Sequence, residues 1–478
     1  MTPLRITLAA GAIMALTATG AMAQADATPA CFSEEAAPNE RMESCTTLGE
    51  DKDIPANLRA LALTVRAGQL DDLGMAEKAL SDLAQAIKLD PNLPFAYVAR
   101  SEIRADQGDL KGALVDTDAA LKLEPNNAGT IVSRGLLRMM MEDKGGLADF
   151  DRAISLDPHN ADYLQMRSMA RRHSGDLDGA LADANLAVKL APGDPSSFAS
   201  RGAVYAARRD NARALADYDR ALAAQPDLSQ VLVYRAELLI KAGDRAKAIA
   251  DLDRALTKSP DDIDALRLRA WAYSESITPE KARADHDRLV SLEPGSYEPL
   301  LDRAYFFGEQ KRYDLAMADI DRAASLAPQS AEVVSARGDI YGHQRDWPRA
   351  FAEHDKALRM APKDPEILNG ACWVRAQAAQ DLQRALDLCS QAVALAPDDF
   401  AFIDSRAFVQ FRLGDLDKAL ADIDAALALD PDAPEPRFMR GVIKLRQGHA
   451  AEGKADLAAA RRARPSIDEE YASYGVTP

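Results

Sequence analysis

The stretch Ala214–Pro226, ALADYDRALAAQP, has the composition of a short helix closed by a proline, and the chain writes it again and again. Its closing proline recurs as Pro91, Pro125, Pro158, Pro192, Pro226, Pro260, Pro294, Pro328, Pro362, Pro397, Pro431 and Pro465. The intervals are 34 residues, apart from one of 33 and one of 35. Prolines at one sustained period mark a repeat protein, in which each unit packs only on its neighbours. The usual expectation of about three separate domains for a chain of 478 residues therefore does not apply.

Working outward, each unit divides in two. In the unit from Pro94, PFAYVARSEIRADQ reads as a first helix, Gly108-Asp109 as a turn, and GALVDTDAALKLEP as a second helix. Pro94, Pro195 and Pro365 stand near the first helical position, where a missing N–H costs nothing. The closing proline cannot continue the second helix. Small residues lie where the helices must touch: Ser101 or Gly202 in the first, Ala113 and Ala120 in the second.

Length 34, a small eighth residue, alanine at the twentieth and twenty-seventh places and proline at the thirty-second resemble the tetratricopeptide repeat. The resemblance covers residues 53–465, about twelve units. It implies an all-α fold, a right-handed superhelical solenoid of antiparallel helix pairs. It also implies that the first helices line a concave groove that binds peptides or partner proteins, without naming a partner. In the first unit either Arg59 or Arg66 can hold the place that arginine holds later.

This chain departs from the family pattern at the seventh and twenty-third places, where the family carries leucine and an aromatic residue. Here they carry Arg and an acid: Arg100 with Asp116, Arg235 with Asp251, Arg303 with Asp319, Arg440 with Asp456, and in the same way Arg337 with Glu353. Facing each other across a helix pair, these should form charge-assisted forks. A structural pairing is expected rather than a functional ladder, because otherwise every repeat would be an active site. One unit, the 35-residue one, lacks the pair: it has Ala371 and Leu388, and next to them Cys372 and Cys389. These two are expected either to crosslink the helices in place of the ion pair or to pack as buried thiols.

The ends differ from the middle. Residues 1–23 carry one charge, Arg5, an apolar run from Ile6 to Leu16, and Ala21-Met22-Ala23, which reads as an export signal cleaved before Gln24. The alternative is an uncleaved membrane anchor. Residues 24–52 read as an N-terminal cap stapled by Cys31 and Cys45, and residues 466–478 as a C-terminal capping tail in which Tyr471 and Tyr474 cover the last repeat. Loss of Arg5 takes the formal charge from −17 to −18, an acidity without a footprint for nucleic acid or an anionic membrane surface. The expected location is the periplasm or outside the cell, with no membrane insertion once the signal is removed.

Candidate chemistry is sparse. Asp116 with Asp118, or Asp285 with Asp287, could suggest calcium loops, but on a helix residues two apart diverge by about 200° and cannot chelate one ion. Six scattered histidines, with no HExxH, GxSxG, Walker loop, GxGxxG or CxxC, point to surface or groove positions. No catalytic residue, cofactor or metal is expected, and no enzyme.

If the family's geometry carries over, places two, five, nine, twelve and thirteen face the groove. That surface is then Met139, Met140 and Met169 in the N-terminal half and Trp271, Tyr305, Trp373, Phe408, Phe411 and Phe438 in the C-terminal half. With Glu102, Asp264, Glu298, Glu332, Asp339 and Glu366 also at groove places, a basic, apolar-bearing segment would suit it. The expected function is a non-catalytic interaction scaffold or adaptor of the cell envelope. The alternative is a self-associating structural scaffold with little ligand binding, and the oligomeric state is left open.

Overall fold

The computed structural model describes residues 29–33, 35–274 and 278–478, so the export signal expected at residues 1–23 lies outside the described residues. Among those described there are twenty-six α-helices, one short 3-10 turn and no strand. The chain divides into two compact units at Gln225/Pro226.

The first unit opens with the turn Ala30–Phe32 and the helix Pro38–Glu50, followed by helix pairs such as Pro94–Asp106 with Leu110–Leu123 and Pro195–Ala207 with Asn211–Ala224. The second unit runs from the pair Ser229–Lys241 with Arg245–Lys258 to the pair Pro434–Arg446 with Ala450–Ala463, then a short helix Ile467–Ser473. Each unit is a solenoid of antiparallel pairs. The second helices start on aspartate caps: the side chains of Asp109, Asp176 and Asp244 accept from the backbone N–H three residues on. The first helices end in a left-handed residue, glycine at Gly108 (φ 82°), where the Asp109 N–H reaches back to the Arg104 carbonyl.

Side-chain size at one contact sets how closely each pair packs. A Cβ on Gly202 would lie 2.6 Å from the Tyr218 ring, and one on Gly338 2.8 Å from His354. Where the second helix carries Tyr218 or His354 at this place, the first carries glycine. Ser101 instead meets Thr117, hydroxyl to hydroxyl at 2.7 Å. This contact also corrects the expectation that the histidines lie on the surface or in the groove: His286 and His354 occupy the large-residue place and are buried. Burial holds His286 down to about 4, so it stays neutral near neutral pH.

The arginine–aspartate pairs form as side-on forks. Arg303 Nε and Nη2 donate to Asp319 at 2.8 and 2.7 Å. Arg100 with Asp116 and Arg235 with Asp251 do the same. Arg66, not Arg59, holds the place in the first repeat, forking onto Asp82. The remaining nitrogen reaches across to the preceding repeat. Arg303 Nη1 donates to Asp287 of the preceding repeat at 2.6 Å, and Arg134, Arg167, Arg269 and Arg440 likewise reach Asp118, Asp151, Asp253 and Asp424. The two aspartates of these Asp-x-Asp pairs therefore serve different arginines, one inside the repeat and one in the next. The expected Arg337–Glu353 pair is not made among the described residues: Arg337 donates only to Asp321 of the preceding repeat, at 2.8 Å.

In the repeat without the pair, Cys372 and Cys389 occupy the close helix contact with Cα atoms 5.6 Å apart. Cys31 and Cys45 stand at 4.7 Å in the cap. Both separations lie in the span a disulfide bridges. The inter-repeat role passes to Arg375, one turn beyond Ala371. It is only 1 % exposed, donates to Asp355 of the preceding repeat at 2.7 Å and to the Ala371 carbonyl, and lies over the Phe351 ring.

Two outcomes follow from this arrangement. Arg303→Ala leaves the Asp319 side chain, 8 % exposed, without its partner and should cost about 3 kcal/mol in urea unfolding of this unit. Asp287→Ala, at a 45 % exposed side chain, should cost less than about 1 kcal/mol. Arg303→Leu with Asp319→Leu should recover most of the loss, and equal losses in all three would show that the fork is not the unit of stability. For the cysteines, non-reducing peptide mapping should recover Cys31 with Cys45 and Cys372 with Cys389. Reductant should raise hydrogen exchange selectively in residues 365–397, because solenoid stability is local. A uniform rise along the unit would contradict this.

Candidate functional site

The two units differ in the surface that their first helices present. In the first unit Met140 is 52 % exposed, while Met139 and Met169 are half-buried, Met139 against the cluster of Ile131 and Phe150.

In the second unit the ninth places of successive repeats form a contiguous row. Trp271 is 44 % exposed on the helix Ile263–Ser274, and Tyr305 is 36 % exposed on Glu298–Glu309. The Tyr305 hydroxyl donates to Asp339 Oδ2, at the next ninth place, at 2.9 Å. Its ring faces solvent while its hydroxyl is enclosed, and burial with the adjacent carboxylate pushes its ionisation well above the ordinary range. Trp373 follows, half-buried, its ring centroid 5.1 Å from that of Phe408.

Carboxylates frame the open half of the row. Arg267 binds Asp302 at 3.2 Å, and Tyr297 donates to Glu332 at 2.9 Å. Burial pushes Asp302 up despite Arg267, while Asp264, Glu298 and Glu332 remain exposed. Open aromatic faces bordered by acids suit an apolar segment carrying lysine or arginine, through cation–π contact and ion pairing.

The other half corrects the expectation. Phe408, Phe411 and Phe438 are 1 %, 6 % and 0 % exposed, so they are not open anchors in this structure. The C-terminal tail covers two of them: the Tyr471 ring lies 4.7 Å from Phe438 and 6.1 Å from Phe408, while Arg446 lies over Phe411. Tyr474 meets Trp373 edge-on at 5.6 Å. The tail thus covers more than the last repeat it was expected to cap. Arg412, over the Phe408 ring, and Asp404 are further residues of this face. Both stand at groove places, thirteen and five, but their roles depend on a tail whose position no repeat pattern encodes. Among the described residues no cluster of His, Cys, Asp and Glu could hold a metal ion, and no helix is long and apolar enough to cross a membrane.

Comparison with known proteins follows from this geometry. The sequence matches one tetratricopeptide-repeat family profile over residues 374–435 and a second over residues 145–195, 200–263 and 406–467. No curated protein matches it. Among solved structures it is similar to yeast Tom70, at 16% identity and a TM-score of 0.43 over 87% of this chain and 94% of that one. It is also similar to the APC/C hetero-tetramer Cut9-Hcn1, at 14% identity and a TM-score of 0.40 over 98% and 95% of the two chains. A third is YrrB, described as a TPR protein with an unusual peptide-binding site, at 24% identity and a TM-score of 0.32 over 40% and 97%.

Proposed function

The chain belongs to the tetratricopeptide-repeat superfamily, a family of protein–protein interaction scaffolds, and from that premise we propose that it is a cell-envelope adaptor binding basic, apolar protein segments. The observation that carries this reading is the row of Trp271 and Tyr305, exposed on successive first helices. Asp264, Glu298, Glu332 and Asp339 stand around them at neighbouring groove places, with Asp302 beside them bound by Arg267. Aromatic anchors supply contact area at little entropic cost, and the carboxylates select for cationic side chains while repelling acidic ones. The repeats are connected by short turns and hold these helices in place, so the row is preorganised for an extended or helical segment.

The location rests on the segment before the cap. An apolar run followed by Ala21-Met22-Ala23 supports export and cleavage, and an oxidising compartment would allow both cysteine pairs to close. Mass spectrometry of the protein from its native host should then find Gln24 at the N-terminus. An intact Met1 in a membrane fraction would reverse the assignment.

The binding reading is tested by selecting a displayed random-peptide library on the purified chain. Enriched peptides should combine lysine or arginine with apolar residues and lose affinity as salt rises. Trp271→Ser with Tyr305→Ser should weaken them by roughly tenfold or more with an unchanged far-UV spectrum. Enrichment of acidic peptides, or unchanged affinity in the double variant, would defeat the proposal.

A further inference from the structure

After the last helix pair the chain does not simply continue the stack. The helix Ile467–Ser473 lies across first helices of earlier repeats within the second unit. Ile467, Tyr471 and Val476 are buried, and the Tyr471 and Tyr474 rings fill the aromatic end of the face between Trp373, Phe408 and Phe438. The Ser473 carbonyl accepts from Arg345, 128 residues upstream, at 2.9 Å, and the Tyr474 carbonyl accepts from Arg412. The tail therefore touches the helices Pro365–Ala378, Phe400–Leu413 and Pro434–Arg446 and the turn after Ala331–His343. A cap needs only the last of these. A tail that runs over four repeats along the first-helix face follows the path of a bound segment.

The seat is imperfect in one specific respect. Asp404, on the helix Phe400–Leu413, has its Oδ1 sealed from solvent and without a hydrogen-bond partner among the described residues. The groups around it make this worse. Glu435 of Pro434–Arg446 and Glu470 of the tail add negative charge, and burial with these neighbours pushes Asp404 up to about 8. Arg464 binds Glu435 at 2.5 Å and Glu470 at 3.1 Å, leaving Asp404 unanswered. Arg412 is turned to the Tyr474 carbonyl, and Arg446 lies over the Phe411 ring. A carboxyl with one oxygen sealed and unpartnered opposes the seating of the tail, and a cation placed against it would relieve that cost.

We propose that residues 467–476 are an intramolecular stand-in for a partner segment. They hold the C-terminal end of this face until a segment replaces them that sets an aromatic ring where Tyr471 lies and a lysine or arginine against Asp404. The proposal rests on the reading of the first-helix face as a protein-binding surface and adds its gate and the chemistry that opens it.

The seated tail keeps a proton on Asp404 that the released state gives up. Seating is therefore strongest on the acid side and weakens as pH rises toward and through about 8. The other charged groups facing the site are carboxylates and guanidinium groups, whose ordinary ranges lie outside the window from pH 6 to 9.

Hydrogen exchange on the full chain tests this directly, with rates corrected for intrinsic pH dependence. Tail amides should exchange about a hundredfold faster than those of residues 434–446, and the ratio should grow from pH 6 to pH 9. Asp404→Asn should slow tail exchange and remove the pH dependence. Glu470→Lys, which brings a cation toward Asp404, should slow tail exchange by about tenfold, and in the double variant that gain should vanish. In trans, a labelled peptide of residues 466–478 carrying Glu470→Lys should bind a chain ending at Pro465 more tightly than the native peptide. That preference should be lost in Asp404→Asn. Tail amides that exchange in step with residues 434–446 at both pH values, with no effect of Asp404→Asn, would show a permanent structural cap and overturn the proposal. The exchange series decides even where the shortened chain does not fold. The peptide-library selection centred on Trp271 and Tyr305 can succeed while this series fails, so the two readings fall separately.

Discussion

An arginine that must satisfy two aspartates at once governs how these repeats stack. Its fork onto the aspartate of its own second helix fixes how the two helices of a pair cross. Its third donor, reaching the preceding repeat, fixes where the next pair sits. A bidentate guanidinium–carboxylate contact is planar and directional, so it tolerates little sliding or rotation, unlike the apolar packing the family pattern uses here. The acid of the fork is nearly buried and the inter-repeat acid half-exposed, so the first contact decides stability and the second mostly decides alignment. In several repeats a second cation adds to the buried acid, as where Arg104, Arg138, Arg171 and Lys444 reach Asp116, Asp149, Asp183 and Asp456.

The repeat that loses this arginine shows what the constraint was providing. Ala371 can neither fork nor bridge, and two different devices take over. The cysteine pair sits at the close contact between the helices, and Arg375 reaches back to Asp355 in the place of the missing bridge. The added residue of this repeat falls in its turn, where Ala379 and Asp381 both adopt left-handed conformations. Non-glycine residues there cost about 1 kcal/mol or more each, offset by the contacts the longer turn permits.

With the pairs locked, the first helices carry a surface whose character changes along the second unit. Trp271 and Tyr305 stand open among carboxylates, whereas Trp373, Phe408 and Phe438 lie beneath the tail. A seven-residue helix has no stability of its own and exists only where it is packed. Its two tyrosines supply that packing, while the unpaired Asp404 works against it. An acid-lined open stretch thus lies beside an aromatic seat in which one carboxylate oxygen has no partner.

The period, the helix pairs, the proline stops and the in-repeat arginine–aspartate forks were legible from the sequence alone. Each depends on residues at most one repeat apart, and most repeats write the same contact again. The tertiary structure decided what depends on distance and on fine geometry. Arg303 forks onto Asp319, whereas Arg337 reaches only Asp321 of the preceding repeat. His286 and His354 are core residues because the facing helix offers only Ala270 or Gly338 there. Trp271 and Phe408 occupy the same place in their repeats, yet one is open and the other covered. The difference comes from a tail tied down by Arg345 and Arg412, 128 and 62 residues upstream in the chain. A local pattern sets which face of a helix a residue occupies, and only the folded chain determines what comes to lie against that face.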